Sequence, residues 1–416
     1  MPPTNSFYVG PRRSRLVAKS FADIVTAAAA GCLDETQWVE LKRDIPSSSK
    51  PANLELAKDL ASLSVDGGVL IVGIVDANGS AGEVVGTDLT SLATRMDQVA
   101  ASRVSPPLPI VIDSFLKPGD EAIGVLVVTV PASEGAPHMV DDKYWGRGAT
   151  GKRVLGDGEV RRLLTSRQAK AAGFEERLRS LAENFDPGPD GEHAHGHLYL
   201  LFEPAGVPRL DLTEAAAGKS IRQLVTEAVP LEPHWSPSTH ALNYGRPHPD
   251  GIAAASFPAR DEAGPEEFRL QILATNDGGL KVASGGGTQP FGSGNEADRP
   301  EVLFPGYVLE LVHSCAQIAG HIAATYSGYE GAWRVGLLLN QLKGILPSQA
   351  FSTLSSRSYA PFPVDEQVRI EESNSRELLE EPHKLVERLA APLLRGLGVA
   401  DLFLPYDDPK SIYQQP

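Results

Sequence analysis

The sequence predicts an α+β protein built from a mixed-sheet N-terminal domain and a second, acidic α+β domain. Helical and strand patterns alternate along 416 residues, a length that exceeds one ordinary hydrophobic core. Residues 1–180 hold 21 basic and 22 acidic residues, whereas residues 181–416 hold 17 and 31, so the second part carries nearly all of the net charge of −15. This asymmetry indicates two functionally different parts.

The N-terminal part contains two strand patterns that carry acidic residues. In the hexapeptide QWVELK, the apolar Val39 and Leu41 alternate with the polar Glu40 and Lys42, which is typical of a half-buried strand. A helix with Asn53 as its N-cap is predicted next. The continuously apolar GVLIVGIV then predicts a central strand buried on both faces, and it ends at Asp76.

The domain boundary is predicted from composition. The stretch ENFDPGPDGEHAHGH is rich in proline, glycine and charge, which is typical of a linker. We therefore expect one domain over residues 20–170, a helix end and linker over 171–196, and a C-terminal domain for regulation or dimerisation over 197–416. The last should contain a hairpin with its turn at Asn276–Gly279 and a helical segment interrupted at Pro382.

Several classes of protein are not expected. No apolar run reaches the roughly 18 residues that span a bilayer, and the basic N-terminal stretch lacks the apolar segment of a secretory signal. The two cysteines, Cys32 and Cys315, cannot form a disulfide framework or a cysteine-based zinc cage, so a cytoplasmic location is predicted. The glycine-rich SGGGTQPFGSG lacks the lysine of a phosphate-binding loop, and there is no Gly-x-Ser-x-Gly motif.

The first candidate site is a trio of carboxylates: Glu35, Glu40 and Asp76. Carboxylate oxygens are the ligands that Mg²⁺ and Mn²⁺ prefer. Glu40 and Asp76 converge if their strands are neighbours. Glu35 joins them only if the chain turns just before Gln37, because five residues of plain strand would put it on the opposite face. The alternative is that all three are solvated charges at a strand edge.

The second candidate is the basic segment DKYWGRGATGKR. Cations bind phosphates, aromatic rings stack on bases, and glycines let the backbone approach a ligand. The alternative is an exposed hairpin whose two aromatic residues pack back onto the core. The predicted nucleic-acid-binding residues are Lys143, Tyr144, Trp145, Arg147, Lys152 and Arg153.

The third candidate is the HAHGH stretch. Its histidines, His193, His195 and His197, have a spacing that suits zinc on a strand. They lie in the predicted flexible linker, where no carboxylate or cysteine is expected to be held beside them as a further ligand. We therefore expect them to be exposed to solvent and not to bind a metal.

The order of these motifs resembles a known family. DETQWVELKRD, DGGVLIVGIVDANG, PPLP and YWGRGATGKR follow one another as in the divergent AlbA-type domain of the Schlafen family, over about a third of the chain. The resemblance matches Glu35 and Glu40 to the family's E-x₄-E, Asp76 to the acid after the glycine-rich strand, and Arg147 to the arginine of the late motif. In Schlafen nucleases three such acids carry the activity. Asp76 is followed by Ala77, where a second aspartate is common.

The resemblance implies a nucleic-acid-binding protein, on either RNA or DNA, and its most specific form is an endoribonuclease acting on structured RNA such as transfer RNA. Glu35, Glu40 and Asp76 would then hold Mg²⁺ or Mn²⁺, and Lys42 would neutralise developing charge. One lobe is present where mammalian members have two, so a homodimer is expected to complete the groove. The alternatives are a non-catalytic DNA-binding transcriptional regulator and a sensor that binds ATP or another nucleotide.

Overall fold

The computed structural model describes residues 6–10, 16–46, 49–133, 135–148, 151–186, 193–206, 212–216, 218–230, 236–258, 264–292, 299–327, 329–351 and 357–410. The chain divides into two compact units, each of which contains helices and strands. The predicted α+β class is therefore confirmed. Unit 1 comprises Met1–Ala172, Ala205–Arg209 and Ser327–Ala332, and unit 2 comprises Gly173–Pro204, Leu210–Tyr326 and Trp333–Pro416.

The described strands of unit 1 are β1 (Ser6–Phe7), β2 (Leu16–Val17), β3 (Val39–Lys42), β4 (Gly68–Val72), β5 (Ile74–Ala77), β6 (Ser80–Val84), β7 (Thr87–Asp88), β8 (Val111–Leu116), β9 (Ile123–Val130), β10 (Met139–Val140), β11 (Lys143–Gly148) and β12 (Gly151–Val154). Five of these strands form a mixed sheet with the order β3-β4-β9-β7, in which β8 also pairs with β9. Strand β3 runs parallel to β4, and the other pairings in this sheet are antiparallel. The helices of unit 1 are α1 (Phe21–Ala29), α2 (Lys50–Leu63), α3 (Leu92–Arg103) and α4 (Asp157–Ala171).

Two apolar clusters cover the two faces of this sheet. Every residue of β4 is buried, as the continuous apolar run predicts. Because side chains alternate along a strand, Leu70 packs with α2 and α3 on one face, whereas Val69 and Ile71 pack with α1 on the other. The sheet is therefore a central layer between helices.

Two boundaries in unit 1 differ from the sequence predictions. The apolar run does not form one strand ending at Asp76, because Gly73 has a φ of +112° and breaks it. Strand β4 ends at Val72, and β5 leaves the sheet to pair with β6. Helix α2 begins after Ser49, whose side chain accepts the N–H of Ala52, and not after Asn53.

Unit 2 contains a seven-stranded sheet with the order β14-β15-β16-β17-β13-β20-β22 and a small sheet of β18, β19 and β21. Its strands are β13 (Leu198–Pro204), β14 (Tyr244–His248), β15 (Gly251–Ala255), β16 (Leu270–Thr275), β17 (Leu280–Ser284), β18 (Gln289–Pro290), β19 (Glu301–Leu303), β20 (Ala332–Leu339), β21 (Leu346–Pro347) and β22 (Gln367–Asn374). Its helices are α5 (Phe174–Asn184), α6 (Leu212–Ala215), α7 (Ile221–Ala228), α8 (Pro305–Ile322), α9 (Ser375–Glu380), α10 (Pro382–Gly396) and α11 (Ala400–Phe403). The predicted hairpin is β16–β17, and Pro382 begins α10.

The predicted linker is largely part of unit 2. Phe174, Leu178 and Leu181 recur at helical spacing on α5 and pack on Tyr199 of β13, and this spacing was missed in the sequence. The expectation that the HAHGH histidines are exposed is wrong, since His197 is fully buried. Residues 187–192 of the same stretch lie outside the described residues.

Candidate functional site

Strand β3 presents its side chains alternately, as predicted. Val39 and Leu41 are buried, and Glu40 and Lys42 are half-buried. Glu40 lies opposite Leu70 in the parallel pairing with β4, and Leu70 faces α2. The side chains of Glu40 and Lys42 therefore stand on the face of the sheet that α2 covers, between the strand and the helix.

Glu40 is held by two cations. Its Oε1 accepts a hydrogen bond from Lys42 Nζ at 2.9 Å, and its Oε2 accepts one from an Arg147 guanidinium nitrogen at 2.6 Å. Burial opposes ionisation of this carboxyl, but Lys42 and Arg147 outweigh it and lower the pKa of Glu40. Glu40 is thus a carboxylate already neutralised within the chain.

Asp59 of α2 is the centre of the cluster and was missed in the sequence. Its side chain is fully buried, with Lys152 Nζ at 2.6 Å and Lys42 Nζ at 3.1 Å. Burial raises the pKa of Asp59, although the two lysines favour its ionised form. The available signal was an acidic residue within the buried stripe of α2, between Leu56 and Leu63. We call Glu40, Lys42, Asp59, Arg147 and Lys152 the β3 cluster.

An open cavity of about 540 Å³ adjoins the β3 cluster. Its polar wall includes Lys42, Asp59 and Lys152, and Glu55 of α2 also lines it. Lys152 Nζ lies 3.0 Å from the Glu55 carboxylate as well as close to Asp59. Two ammonium groups from different strands therefore face one cavity.

Glu35 lies within electrostatic reach of both Glu40 and Asp76, but the three acids do not form a compact ligand set. The chain bends at Gln37 and Trp38, so the main-chain N–H of Leu41 donates to Glu35 Oε1 at 3.0 Å. Burial raises the pKa of Glu35, and the charges of Glu40 and Asp76 raise it further. Asp76 is exposed, and its Oδ1 accepts the N–H of Gly79 at 2.6 Å.

A closer convergence of the trio is not observed. Among the described residues, the group of three potential ligands whose donor atoms all lie within 4.8 Å of one another is Asp186, His193 and His197, and not the trio. The side chains of the trio would have to move to share one ion, and the contacts of Glu40 with Lys42 and Arg147 would also have to change.

The predicted nucleic-acid-binding residues occupy different environments. Arg147 is 2% exposed and also donates to the main-chain oxygen of Thr36 at 3.1 Å. In this position Arg147 fixes the entry to β3, and its contact with a phosphate stays a prediction. Trp145 packs on the apolar cluster beneath α2, donates Nε1–H to the Val140 oxygen at 3.1 Å, and lies under Lys58.

The remaining members of this set are more accessible. Lys143 is exposed at the start of β11, and Tyr144 is half-buried. Arg153 is 46% exposed and pairs with Glu159 at 2.6 Å. The cations available to an outside ligand are therefore Lys42, Lys143, Lys152 and Arg153.

The same segment matches a known family model. The model is described as Schlafen, AlbA_2, and it matches residues 35–155. Residues 35–155 are a Schlafen AlbA_2 domain. The match begins at Glu35 and includes every member of the β3 cluster, which confirms the resemblance seen in the sequence. It places this domain in a nucleic-acid-related family.

Two solved structures are similar to parts of the chain. One is the N-terminal domain of a protein from Nitrosomonas europaea described as related to the ATP-dependent DNA helicase RecG, at 20% identity and a TM-score of 0.25, covering 34% of this chain and 92% of that one. The other is the DIP2311 protein from Corynebacterium diphtheriae, at 18% identity and a TM-score of 0.25, covering 50% of this chain and 34% of that one. No curated protein matches the chain. No described helix is both long and apolar enough for a membrane span.

Proposed function

We propose that the AlbA_2 domain binds the phosphate backbone of nucleic acid at the cavity beside the β3 cluster. The observation that supports this most is the convergence of Lys42 and Lys152 on the single buried carboxylate of Asp59. An ammonium group carries three N–H donors. Lys42 and Lys152 each contact two carboxylates, which leaves each a donor for a phosphate oxygen.

The β11–β12 hairpin carries further accessible cations. Lys143 and Arg153 are both exposed, and neither has to leave a buried partner to meet a phosphate. Arg147 contributes indirectly, because its pair with Glu40 fixes the strand that carries Lys42. Contacts to the backbone alone would bind RNA or DNA with little dependence on sequence.

The test is a comparison of two lysine substitutions. Lys152→Ala should weaken binding to a labelled oligonucleotide and lower the slope of log K against log salt by about 1. Lys117→Ala is the matched control, because Lys117 is an exposed lysine on the turn between β8 and β9 of the same unit. Equal affinity and equal salt slopes for both variants and the wild type, with circular dichroism showing that all are folded, would contradict the proposal.

A second candidate function is metal-dependent cleavage of RNA. It is favoured by the electrostatic coupling of Glu35 to Glu40 and Asp76: burial raises the pKa of Glu35, repulsion from these two acids raises it further, and a divalent cation would relieve that repulsion. Mg²⁺ or Mn²⁺ suits these oxygen ligands, and Lys42 stands beside Glu40. This candidate comes second because Glu40 already pairs with Lys42 and Arg147 and is therefore less available to a metal ion.

The cleavage test uses transfer RNA with Mn²⁺. Wild-type protein should cut it, and Glu35→Gln or Asp76→Asn should abolish the cutting. Glu83→Gln is the control, since Glu83 is an exposed acid of β6 outside the trio. Binding without cleavage by the wild type would leave the AlbA_2 domain as a binder only.

A further inference from the structure

Unit 2 contains a cluster of histidines and carboxylates that the AlbA_2 function does not use. Asp186 lies two residues after α5, and His197 immediately precedes β13. With His193 they form a group whose potential ligand atoms all lie within 4.8 Å of one another. Glu266, in a 3₁₀ turn over Glu266–Phe268, completes the set, which we call the histidine cluster.

Each imidazole of the histidine cluster bridges the same two carboxylates. His197 places Nδ1 at 2.8 Å from Asp186 Oδ2 and Nε2 at 2.7 Å from Glu266 Oε1. His193 places Nε2 at 3.7 Å from the same Asp186 oxygen and Nδ1 at 3.4 Å from the same Glu266 oxygen. The two rings lie 4.2 Å apart between their centroids. One nitrogen of each ring therefore points to Asp186, and the other points to Glu266.

We propose that His193, His197 and Asp186 bind a zinc ion through Nε2, Nδ1 and a carboxylate oxygen, respectively. In a tetrahedral site with bonds of about 2.0–2.1 Å, neighbouring ligand atoms are separated by roughly 3.4 Å. The observed separations of 2.8 Å and 3.7 Å around Asp186 Oδ2 bracket this value. Small side-chain shifts are enough to admit the ion.

Glu266 and Tyr199 occupy the positions of outer-shell partners. A metal-bound histidine donates its other ring N–H to a carboxylate, and the partners of ligating carboxylates orient them. Glu266 Oε1 faces the second nitrogen of both rings, and the buried Tyr199 hydroxyl donates to Asp186 Oδ2. His193 Nδ1 is buried and makes no hydrogen bond of good geometry to the described residues. Metal at Nε2 would fix this ring so that Nδ1–H donates to Glu266.

The donor types select the metal. Two imidazole nitrogens with one carboxylate oxygen suit zinc, whereas Mg²⁺ and Ca²⁺ prefer all-oxygen sites. Two neutral imidazoles and two carboxylates offer a charge of −2, which compensates a dication. Three protein ligands leave a fourth position open, and His193 is 19% exposed, so the ion can be reached from solvent.

His195 supplies a matched control within the same stretch. Its ring contacts different carboxylates, Glu301 at 3.0 Å and Glu267 at 3.7 Å. Its burial lies between that of His197 and that of His193, so its replacement perturbs the packing to a similar extent without removing a proposed ligand.

The experiment measures zinc binding to the full chain. Equilibrium dialysis of metal-free protein against Zn²⁺, with elemental analysis, should give one equivalent for the wild type and for His195→Ala. Glu266→Gln should lower affinity by about 10- to 100-fold. His193→Ala and Asp186→Asn should lower it further, because each removes a ligand. Co²⁺ added in place of zinc should give the visible absorption of a tetrahedral site in the wild type and in His195→Ala, but not in His193→Ala or Asp186→Asn.

Two results would overturn the zinc site. One is the absence of stoichiometric zinc uptake by folded wild-type protein. His197 would then be a buried imidazole that only hydrogen-bonds to the carboxylates of Asp186 and Glu266. The other is an equal loss of zinc in His193→Ala and His195→Ala. Circular dichroism of each variant separates lost binding from lost folding.

Discussion

The β3 cluster and the histidine cluster enclose carboxylates in similar ways but neutralise them with different cations. In the β3 cluster the cations are lysine and arginine side chains, Lys42, Arg147 and Lys152, which as residue types are not metal ligands in their charged form. In the histidine cluster the corresponding groups are the imidazoles of His193 and His197, and a neutral imidazole is a common metal ligand. The carboxylates of the β3 cluster are therefore neutralised by side chains of the same unit, whereas those of the histidine cluster can help to bind an external dication.

The balance between burial and charge also differs within these clusters. At Asp59 burial prevails and raises the pKa despite two lysines, whereas at Glu40 the cations prevail and lower it. Burial opposes the charged form of His197, but Asp186 and Glu266 outweigh it and raise the pKa of the imidazole. Asp59 and Glu40 each have two cationic partners at similar distances, so their opposite shifts follow from burial: the Asp59 side chain is fully buried, whereas that of Glu40 is 13% exposed.

The largest loss of stability is expected when the guanidinium of Arg147 is removed from the β3 cluster. Arg147→Ala should lower the free energy of unfolding by about 3–5 kcal/mol, because it leaves Glu40 partly buried without its guanidinium partner. Chemical denaturation monitored by circular dichroism measures the change. A loss below 1 kcal/mol would mean that solvent replaces Arg147 and that the cluster does not stabilise the domain.

A smaller change in stability is expected when zinc binds to the histidine cluster. Zinc at about 100 times its dissociation constant should stabilise the chain by about 2.7 kcal/mol, seen as a higher midpoint in differential scanning calorimetry. His193→Ala should show no such shift. Glu40→Gln should keep it in full, because the β3 cluster is not a zinc ligand set; a reduced shift in that variant would contradict the separation of the two clusters.

Acid should remove the contribution of Glu40 to the stability of the β3 cluster. The folded-state pKa of Glu40 is lowered from its ordinary 4.5, so its contribution is complete above that pH and is lost as pH falls through the folded-state pKa. The stability difference between wild type and Glu40→Gln should therefore shrink below about pH 4.5, by at most about 1.4 kcal/mol per pH unit. Urea midpoints across this range test it, and a constant difference would show that Glu40 does not titrate with folding.

The smallest effect is expected at an exposed pair of the same unit. Arg153→Ala removes the ion pair with Glu159, in which both side chains are more than a third exposed. Such pairs contribute about 0–1 kcal/mol. Denaturation under the same conditions as for Arg147→Ala makes the two directly comparable, and equal losses would show that burial does not set the difference.

The local parts of this structure were predictable, because short-range patterns determine them. The alternation in QWVELK was enough to put Val39 and Leu41 on one face of the strand and Glu40 on the other. The apolar run of β4 predicted a doubly buried strand, but the break at Gly73 depends on a backbone conformation that composition does not reveal.

The clusters were less predictable, because their partners are distant in sequence. Arg147 lies 107 positions from Glu40, and Glu266 lies 69 positions from His197. Spacing showed three histidines in HAHGH that suit zinc on a strand, but the carboxylates that contact two of them, Asp186 and Glu266, lie two residues after α5 and in a 3₁₀ turn. The resemblance identified the acids of the N-terminal domain without showing that Glu40 is already paired.

The pairing of Glu40 with Arg147 also bears on the order in which the N-terminal unit assembles. A contact across 107 positions forms only after a long loop has closed, and closing such loops slows folding. Strand β3 and helix α2 can meet early, but the guanidinium arrives only with the β11–β12 hairpin. If that docking follows the rate-limiting step, substitutions at Arg147 will hasten unfolding and leave the folding rate nearly unchanged.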